Sequence, residues 1–336
     1  MFSGLEIAQA PDFRRHLNKY DVIHIDIQWF LANCENADEV VSFITKSVLD
    51  ELKEIYPGTL PTEFVKLPDA LSRVKEKTGQ KFIIIIDEWD VLIRDGEVSE
   101  IIQDGYINFL RRMFKGTEPT KYIQLAYLTG ILPIKKEKAQ SAVNNLDEFT
   151  MLQAFGLAPY IGFTENEVKN LYEKYNRDFE KVKKWYDGYL LYGYQVYNPK
   201  AVISLMTKGK FRSYWSETGS YEVVIPLICM NFDGLKTAII EMLSGAEVEV
   251  NTASFKNDPA KIQNRDDVIT YLIHLGYLGY NEEKGTAFVP NEEIRQELST
   301  AVRNSHWDEM VSFQQESRKL LMATLARDEK RRTYRV

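Results

Sequence analysis

Asp87 and Glu88 are the residues of this chain whose types and position are best suited to chemistry. They close the segment Phe82-Ile83-Ile84-Ile85-Ile86-Asp87-Glu88-Trp89-Asp90, in which five consecutive apolar residues give way to two carboxylates. Such a run reads as a strand buried on both faces, as in the middle of a parallel sheet. In an open α/β sheet, ligands bind outside the carboxyl ends of the strands. Two adjacent acids there suit a Mg²⁺ ion and a water. Asp87 would contact the ion, directly or through water, and Glu88 would polarise the water that attacks a phosphoryl group. The competing explanation is a buried strand that merely leaves the core through a polar turn.

The neighbouring segments supply the elements such a site needs. Asp21–Ile27 is a short β-branched run ending near Asp26. Ala37–Ile55 has apolar residues at helical spacing and stops before Pro57-Gly58, and Leu67–Lys77 reads as a second helix closed by Gly79. After the Phe82–Ile86 strand, Gly105–Phe114 is helix-like, and Tyr122–Leu128 is again a strand, followed by Thr129-Gly130. Strand and helix in alternation describe a parallel sheet with crossover helices. Thr129, at the exit of the next strand, falls where a polar sensor residue belongs. Taken alone it would be a plain turn residue before Gly130.

A phosphate-binding loop of the form Gly-x-x-x-x-Gly-Lys-Ser/Thr does not occur in the sequence. Gly209-Lys210 is followed by Phe211 and lies away from the sheet segments. Without backbone amides and a lysine on the phosphates, nucleotide binding is expected to be impaired.

After about residue 150 the strand signal fades. Thr164 heads a helix to Tyr175, with Glu167 three residues on to complete a capping box. An aromatic segment follows, from Trp185-Tyr186-Asp187-Gly188-Tyr189 to Tyr197-Asn198-Pro199. It is a candidate base-stacking platform, but no lysine or arginine interleaves with it, so packing between domains is the better expectation. Residues 265–300 read as helix, hairpin, helix, which suggests a winged-helix-like module.

Seven segments now stand in order: Phe2-Ser3-Gly4-Leu5-Glu6-Ile7, Val22–Asp26, Asp87-Glu88-Trp89-Asp90, Leu128-Thr129-Gly130-Ile131, Trp185–Tyr189, Tyr197-Asn198-Pro199 and Tyr214-Trp215-Ser216-Glu217-Thr218-Gly219. Together they resemble the bacterial AAA-ATPase-like family, P-loop NTPases of the ASCE type whose longer members carry a PD-(D/E)XK nuclease-like region at the C-terminus. The resemblance implies that Asp87 and Glu88 are the Walker B acids, that Thr129 is the sensor, and that Mg²⁺ and ATP are the cofactors. The family places its P-loop before the Phe-x-Gly-Leu segment, so the chain reads as the middle of a longer protein, truncated at both ends.

The expected fold class is therefore α/β: a P-loop NTPase-like parallel-sheet core without its first strand and P-loop, then a mostly helical region with the winged-helix-like module. The expected divisions are 1–150 (the core), 151–260 (helical), 261–310 (winged-helix-like) and 311–336 (a helical tail). A chain of 336 residues with 44% apolar and 27% charged residues can bury a large core without staples. Cys34 and Cys229 are too few for a disulfide framework, the four histidines share no metal-ligand spacing, and no signal peptide is evident, so a cytoplasmic location is expected. The net charge of −7 opposes a broad nucleic-acid-binding face. The alternatives to an ATPase are a nucleotide-free module for a protein partner or oligomer, and a fragment associated with nuclease chemistry.

Overall fold

Three parallel strands bring the sequence-predicted site residues to one edge of a sheet. In the computed structural model, which describes residues 4–61, 63, 65–134, 145–175, 178–215 and 224–304, the chain divides into two units. One comprises residues 1–148 with 257–260, the other 149–256 with 261–336.

The first unit runs α1 (Phe13–His16), β1 (Asp21–Asp26), α2 (Ile27–Ala32), α3 (Val40–Ile55), α4 (Leu67–Thr78), β2 (Phe82–Asp87), α5 (Val91–Arg94), α6 (Glu100–Phe114), α7 (Pro119–Tyr122) and β3 (Ile123–Leu128). The strands pair in parallel in the order β1-β2-β3. The helices form for the reasons the sequence suggested. Buried residues of α3 (Val40, Ile44, Val48, Leu49, Leu52) recur at helical spacing, and α4 ends on Gly79 in the left-handed conformation at φ 76°. α6 starts five residues before the helix-like stretch read from the sequence, because Glu100–Asp104 is too polar to show an apolar period.

The strand β2 departs from the sequence reading. Phe82, Ile84 and Ile86 are fully buried, but Ile83 and Ile85 are only half-buried. Their register partners on the same sheet face, Val22, Leu125 and Tyr127, are 57%, 55% and 49% exposed. Helices thus cover one face of the sheet, and the other carries an apolar stripe open to solvent. An isoleucine run cannot distinguish a strand covered on one face from one covered on two.

The second unit contains β4 (Phe163–Thr164), α8 (Glu165–Tyr175), α9 (Phe179–Tyr186), β5 (Tyr189–Leu191), β6 (Tyr194–Tyr197), α10 (Pro199–Lys208), α11 (Val224–Ile228), α12 (Leu235–Leu243), β7 (Val248–Glu249), α13 (Arg265–His274), β8 (Gly279–Asn281), β9 (Thr286–Phe288) and α14 (Glu292–Asn304). The capping box at α8 forms: Thr164 N–H donates to Glu167 Oε2 at 2.8 Å, and Glu167 N–H donates to Thr164 Oγ1 at 3.4 Å. Two small antiparallel sheets, β4-β6-β5 and β7-β9-β8, appear where the strand signal fades. Their strands span two to four residues, too few for an alternation to register. The β5–β6 hairpin turns on Tyr192 and Gly193, both at positive φ (48° and 81°), as a tight hairpin turn requires.

The aromatic segment lies within this unit and joins its expected helical and winged-helix-like divisions: Tyr189 Oη donates to Gly276 O at 2.6 Å, and Asn291 Nδ2 donates to Asp187 O at 2.8 Å. Tyr186 and Tyr197 are buried with Val168, Val182, Val202, Leu205 and Tyr214, while Tyr192 and Tyr194 on the hairpin are exposed. Residues 216–219 of the Tyr214–Gly219 segment and the expected helical tail 311–336 lie outside the described residues. No helix among the described residues is long and apolar enough to cross a membrane.

Two buried groups of this unit make its stability depend on pH. Glu293 at the start of α14 accepts hydrogen bonds from the Tyr214 and Trp215 amides (2.6 and 3.0 Å), and burial raises its pKa to about 7. Since its folded pKa lies above the unfolded value of 4.5, the stability it contributes is complete below about pH 4.5 and is lost as pH rises toward 7. His274, lowered to about 4 by burial, works the other way: its contribution is full above 6.5 and is lost toward pH 4. Glu293→Gln isolates the first effect. Its urea midpoint should rise relative to the native chain as pH goes from about 4.5 to 7.5, and a difference that stays constant across that window would refute the assignment.

Candidate active site at the strand exits

In-register pairing sets Asp26 beside Asp87 at the ends of β1 and β2. Asp26 then caps α2, its Oδ1 accepting the Trp29 amide at 3.0 Å. On the other side of β2, the ladder to β3 continues one residue past the strand. Thr129 N–H donates to Ile86 O at 2.9 Å, and Trp89 N–H donates to Thr129 O at 2.9 Å. These two bonds clamp the β3 exit onto the β2 exit. They carry the Thr129 hydroxyl to Asp87, where Oγ1 donates to Oδ1. The two strand-end features predicted from sequence are therefore in direct contact.

Glu88 follows in a left-handed conformation at φ 52°, its N–H donating to Asp87 Oδ1 at 3.1 Å. A non-glycine residue pays about 1 kcal/mol or more for that conformation, and such residues gather at functional sites. The turn aims the carboxylate at Arg94 on α5, whose Nη2 lies 2.6 Å from Glu88 Oε2. Burial raises the Glu88 pKa, the Arg94 charge opposes that rise, and the nearby carboxylates of Asp90, Asp87 and Asp26 add to it.

Asp90 and Arg94 are the residues that sequence reasoning missed. Asp90 is fully buried, and its Oδ2 accepts the Ile131 and Leu132 amides (3.1 and 2.7 Å) and Arg94 Nε (2.9 Å). Its Oδ1 has no hydrogen-bond partner. The signal was present as an acid and an arginine four residues apart just after the acidic pair, a spacing that usually means only a solvated helix pair.

Among the described residues, no group of three or more His, Cys, Asp or Glu side chains could hold a metal ion by itself. Mg²⁺ is commonly bound through one or two carboxylates, with substrate phosphates and water completing its octahedron. Asp87 fits as such a carboxylate: it is exposed at the sheet edge, and the hydrogen bonds it accepts are at Oδ1.

Residues 1–139 match the model of the AAA-ATPase-like family, described as a predicted AAA-ATPase. The match contains Asp87, Glu88, Asp90, Arg94 and Thr129, so the whole strand-exit constellation lies within the family region. A relative from Azotobacter chroococcum mcd 1, named as an uncharacterized protein in the vnfD 5′ region, is 30% identical over 156 residues. That stretch is 45% of this chain and 29% of the relative, so the chain spans under a third of that protein's length. A solved structure, the Aeropyrum pernix ORC2 protein in its ADPNP–ADP complexes, aligns at 11% identity with a TM-score of 0.29, over 90% of this chain and 83% of that one. At that score the likeness carries no argument.

Gly130 shows how tightly the strand exits are fitted. A Cβ built on it would lie 2.5 Å from Trp89 Cδ1 and 2.7 Å from Asp90 Oδ1. Gly130→Ala should therefore destabilise the first unit by about 1–3 kcal/mol in urea unfolding. Gly105→Ala, on α6 with nothing within 4 Å of the new carbon, should stabilise it by about 0.5–1 kcal/mol. Equal effects from the two substitutions would contradict the close approach at Gly130.

Proposed function

We propose that the first unit is an ATPase-like module whose strand exits handle a Mg²⁺–nucleotide, with Asp87 as the metal-side carboxylate, Glu88 as the water-polarising carboxylate and Thr129 as the sensor. The observation that carries this reading is the hydrogen bond from the Thr129 hydroxyl to Asp87 across adjacent parallel strand ends. When bound, Mg²⁺ supplies charge neutralisation at the transferring phosphoryl group. The chain's own part is simpler. Asp87 offers an oriented carboxylate, Thr129 fixes that orientation, and Glu88 accepts a hydrogen bond from the attacking water once its carboxylate is ionised. As the sequence contains no Gly-x-x-x-x-Gly-Lys-Ser/Thr segment, affinity in this polypeptide should be weak and should lean on the metal.

Titration calorimetry with Mg-ATP tests this. The native chain should give a weak, Mg²⁺-dependent heat that Asp87→Asn removes and Glu88→Gln keeps. In a chain that turns over ATP, Glu88→Gln should abolish hydrolysis. No heat from the native chain, or equal heats with and without Mg²⁺, would overturn the reading.

A second reading, a nucleotide-free interaction module, draws on the open sheet face. Val22, Leu125 and Tyr127 form an exposed apolar stripe, and no described strand pairs with the outer edge of β3. Parallel sheets are ordinarily covered on both faces, and an exposed apolar stripe beside an open edge invites a second copy of the chain. In sedimentation velocity the native chain should then associate as concentration rises, and Tyr127→Lys should remain a monomer. A native chain that is monomeric throughout would remove this reading.

We read the α13–β8–β9–α14 portion as a winged-helix-like module with a structural or protein-contact role. Of the seven acids between residues 265 and 301, Asp267, Glu293 and Glu297 are buried and add little to the surface. The three cations of that stretch are each matched by an acid, Arg265 by Asp266, Lys284 by Glu247 and Arg295 by Glu292, which disfavours a phosphate-binding face.

A further inference from the structure

The guanidinium of Arg94 spans two carboxylates with different surroundings. Nη2 meets Glu88 Oε2 at 2.6 Å, where the carboxylate is half open to solvent, and Nε meets the fully buried Asp90 Oδ2 at 2.9 Å. Asp90 Oδ2 in turn receives the amides of Ile131 and Leu132, two and three residues beyond Thr129. An unbroken line of hydrogen bonds thus runs from the loop after β3, through Asp90 and Arg94, to Glu88. It runs parallel to the direct contact of Thr129 with Asp87.

The geometry is more specific than a surface ion pair. Arginine presents its donors in a rigid planar fork, so fixing Nε on Asp90 also fixes where Nη2 points. The second anchor is stiff, because a buried carboxylate with three donors on one oxygen cannot shift without leaving amides unsatisfied. Gly130 closes the space beside its other oxygen, with a built Cβ only 2.7 Å from Oδ1. Glu88 takes a left-handed backbone, and out of that turn its carboxylate meets Arg94 Nη2.

We propose that Arg94 is the positioning residue of Glu88, and that through Asp90 it makes the direction of the Glu88 carboxylate depend on the loop following Thr129. The proposal rests on Glu88 being the water-polarising carboxylate. Any movement of the Thr129 side that accompanies ligand binding at Asp87 would then be felt at Glu88, and loss of the Glu88–Arg94 contact would be felt at Ile131 and Leu132. The charged groups that bear on Glu88 are Arg94 on α5, Asp90 in the turn before it, Asp87 on β2 and Asp26 at the end of β1.

The test is backbone-amide NMR of the full chain at one fixed pH, with no metal or nucleotide added. Glu88→Gln should shift the Ile131 and Leu132 amides, because losing the carboxylate releases the Arg94 fork that shares Asp90 Oδ2 with them. In an Arg94→Lys background, which keeps the charge but loses the fork, the same Glu88→Gln substitution should leave those two amides where they were, a split that a purely structural arginine would not produce. Ile131 and Leu132 amides that stay in place in a folded Glu88→Gln chain would overturn the proposal, and so would equal shifts in the native and Arg94→Lys backgrounds. Failure to bind Mg-ATP, by contrast, would sink the nucleotide reading and leave these shifts as they stand.

Discussion

A single buried carboxylate joins the two halves of the candidate site. Asp90 sits with no exposed surface beneath the exit of β2, and the amides it binds belong to the exit of β3. Burying a charge is costly unless it is paired and hydrogen-bonded, and this one gathers two amides and an arginine on a single oxygen. The Asp87–Thr129 contact needs the two strand exits held together, and the Glu88–Arg94 contact needs the arginine anchored. Both requirements pass through Asp90, which is why the acid farthest from solvent in the Asp87–Asp90 block bears on the two that face it.

The sheet beneath has a plainer logic. Parallel register carries each strand end to the same edge, so Asp26, Asp87 and Thr129 converge without any long-range side-chain contact having to recruit them. The apolar residues that drive this pairing are only half used. Phe82, Ile84 and Ile86 are packed beneath helices, while Ile83 and Ile85 share their face with exposed Leu125 and Tyr127. The two proposed roles draw on different surfaces of the same three strands, one on the strand exits and the other on the open apolar face.

Much of the first unit was legible in its sequence. The helices α3 and α4 follow from apolar spacing and a glycine stop, and β2 and β3 from their apolar runs. Thr129 and Asp87 could be paired because each ends a strand. Arg94 could not be recognised in the same way: an acid and an arginine four residues apart look alike whether they lie on a solvated helix or reach into a core. In the second unit the short strands β4 to β7 escaped notice because two to four residues carry no reliable period, whereas the β8–β9 hairpin was legible between its two helices.

Taken alone, the sequence determined which residues end strands, because apolar runs and turn chemistry are local. It therefore determined that Asp87, Glu88 and Thr129 would lie at strand exits. Only the tertiary structure decided what those groups touch: that Thr129 donates to Asp87, that Glu88 turns through a left-handed conformation onto Arg94, and that Asp90 is buried beneath both. The physical reason is that these contacts bridge about forty residues or depend on the burial of a charge, and neither leaves a period in the chain for a local reading to detect.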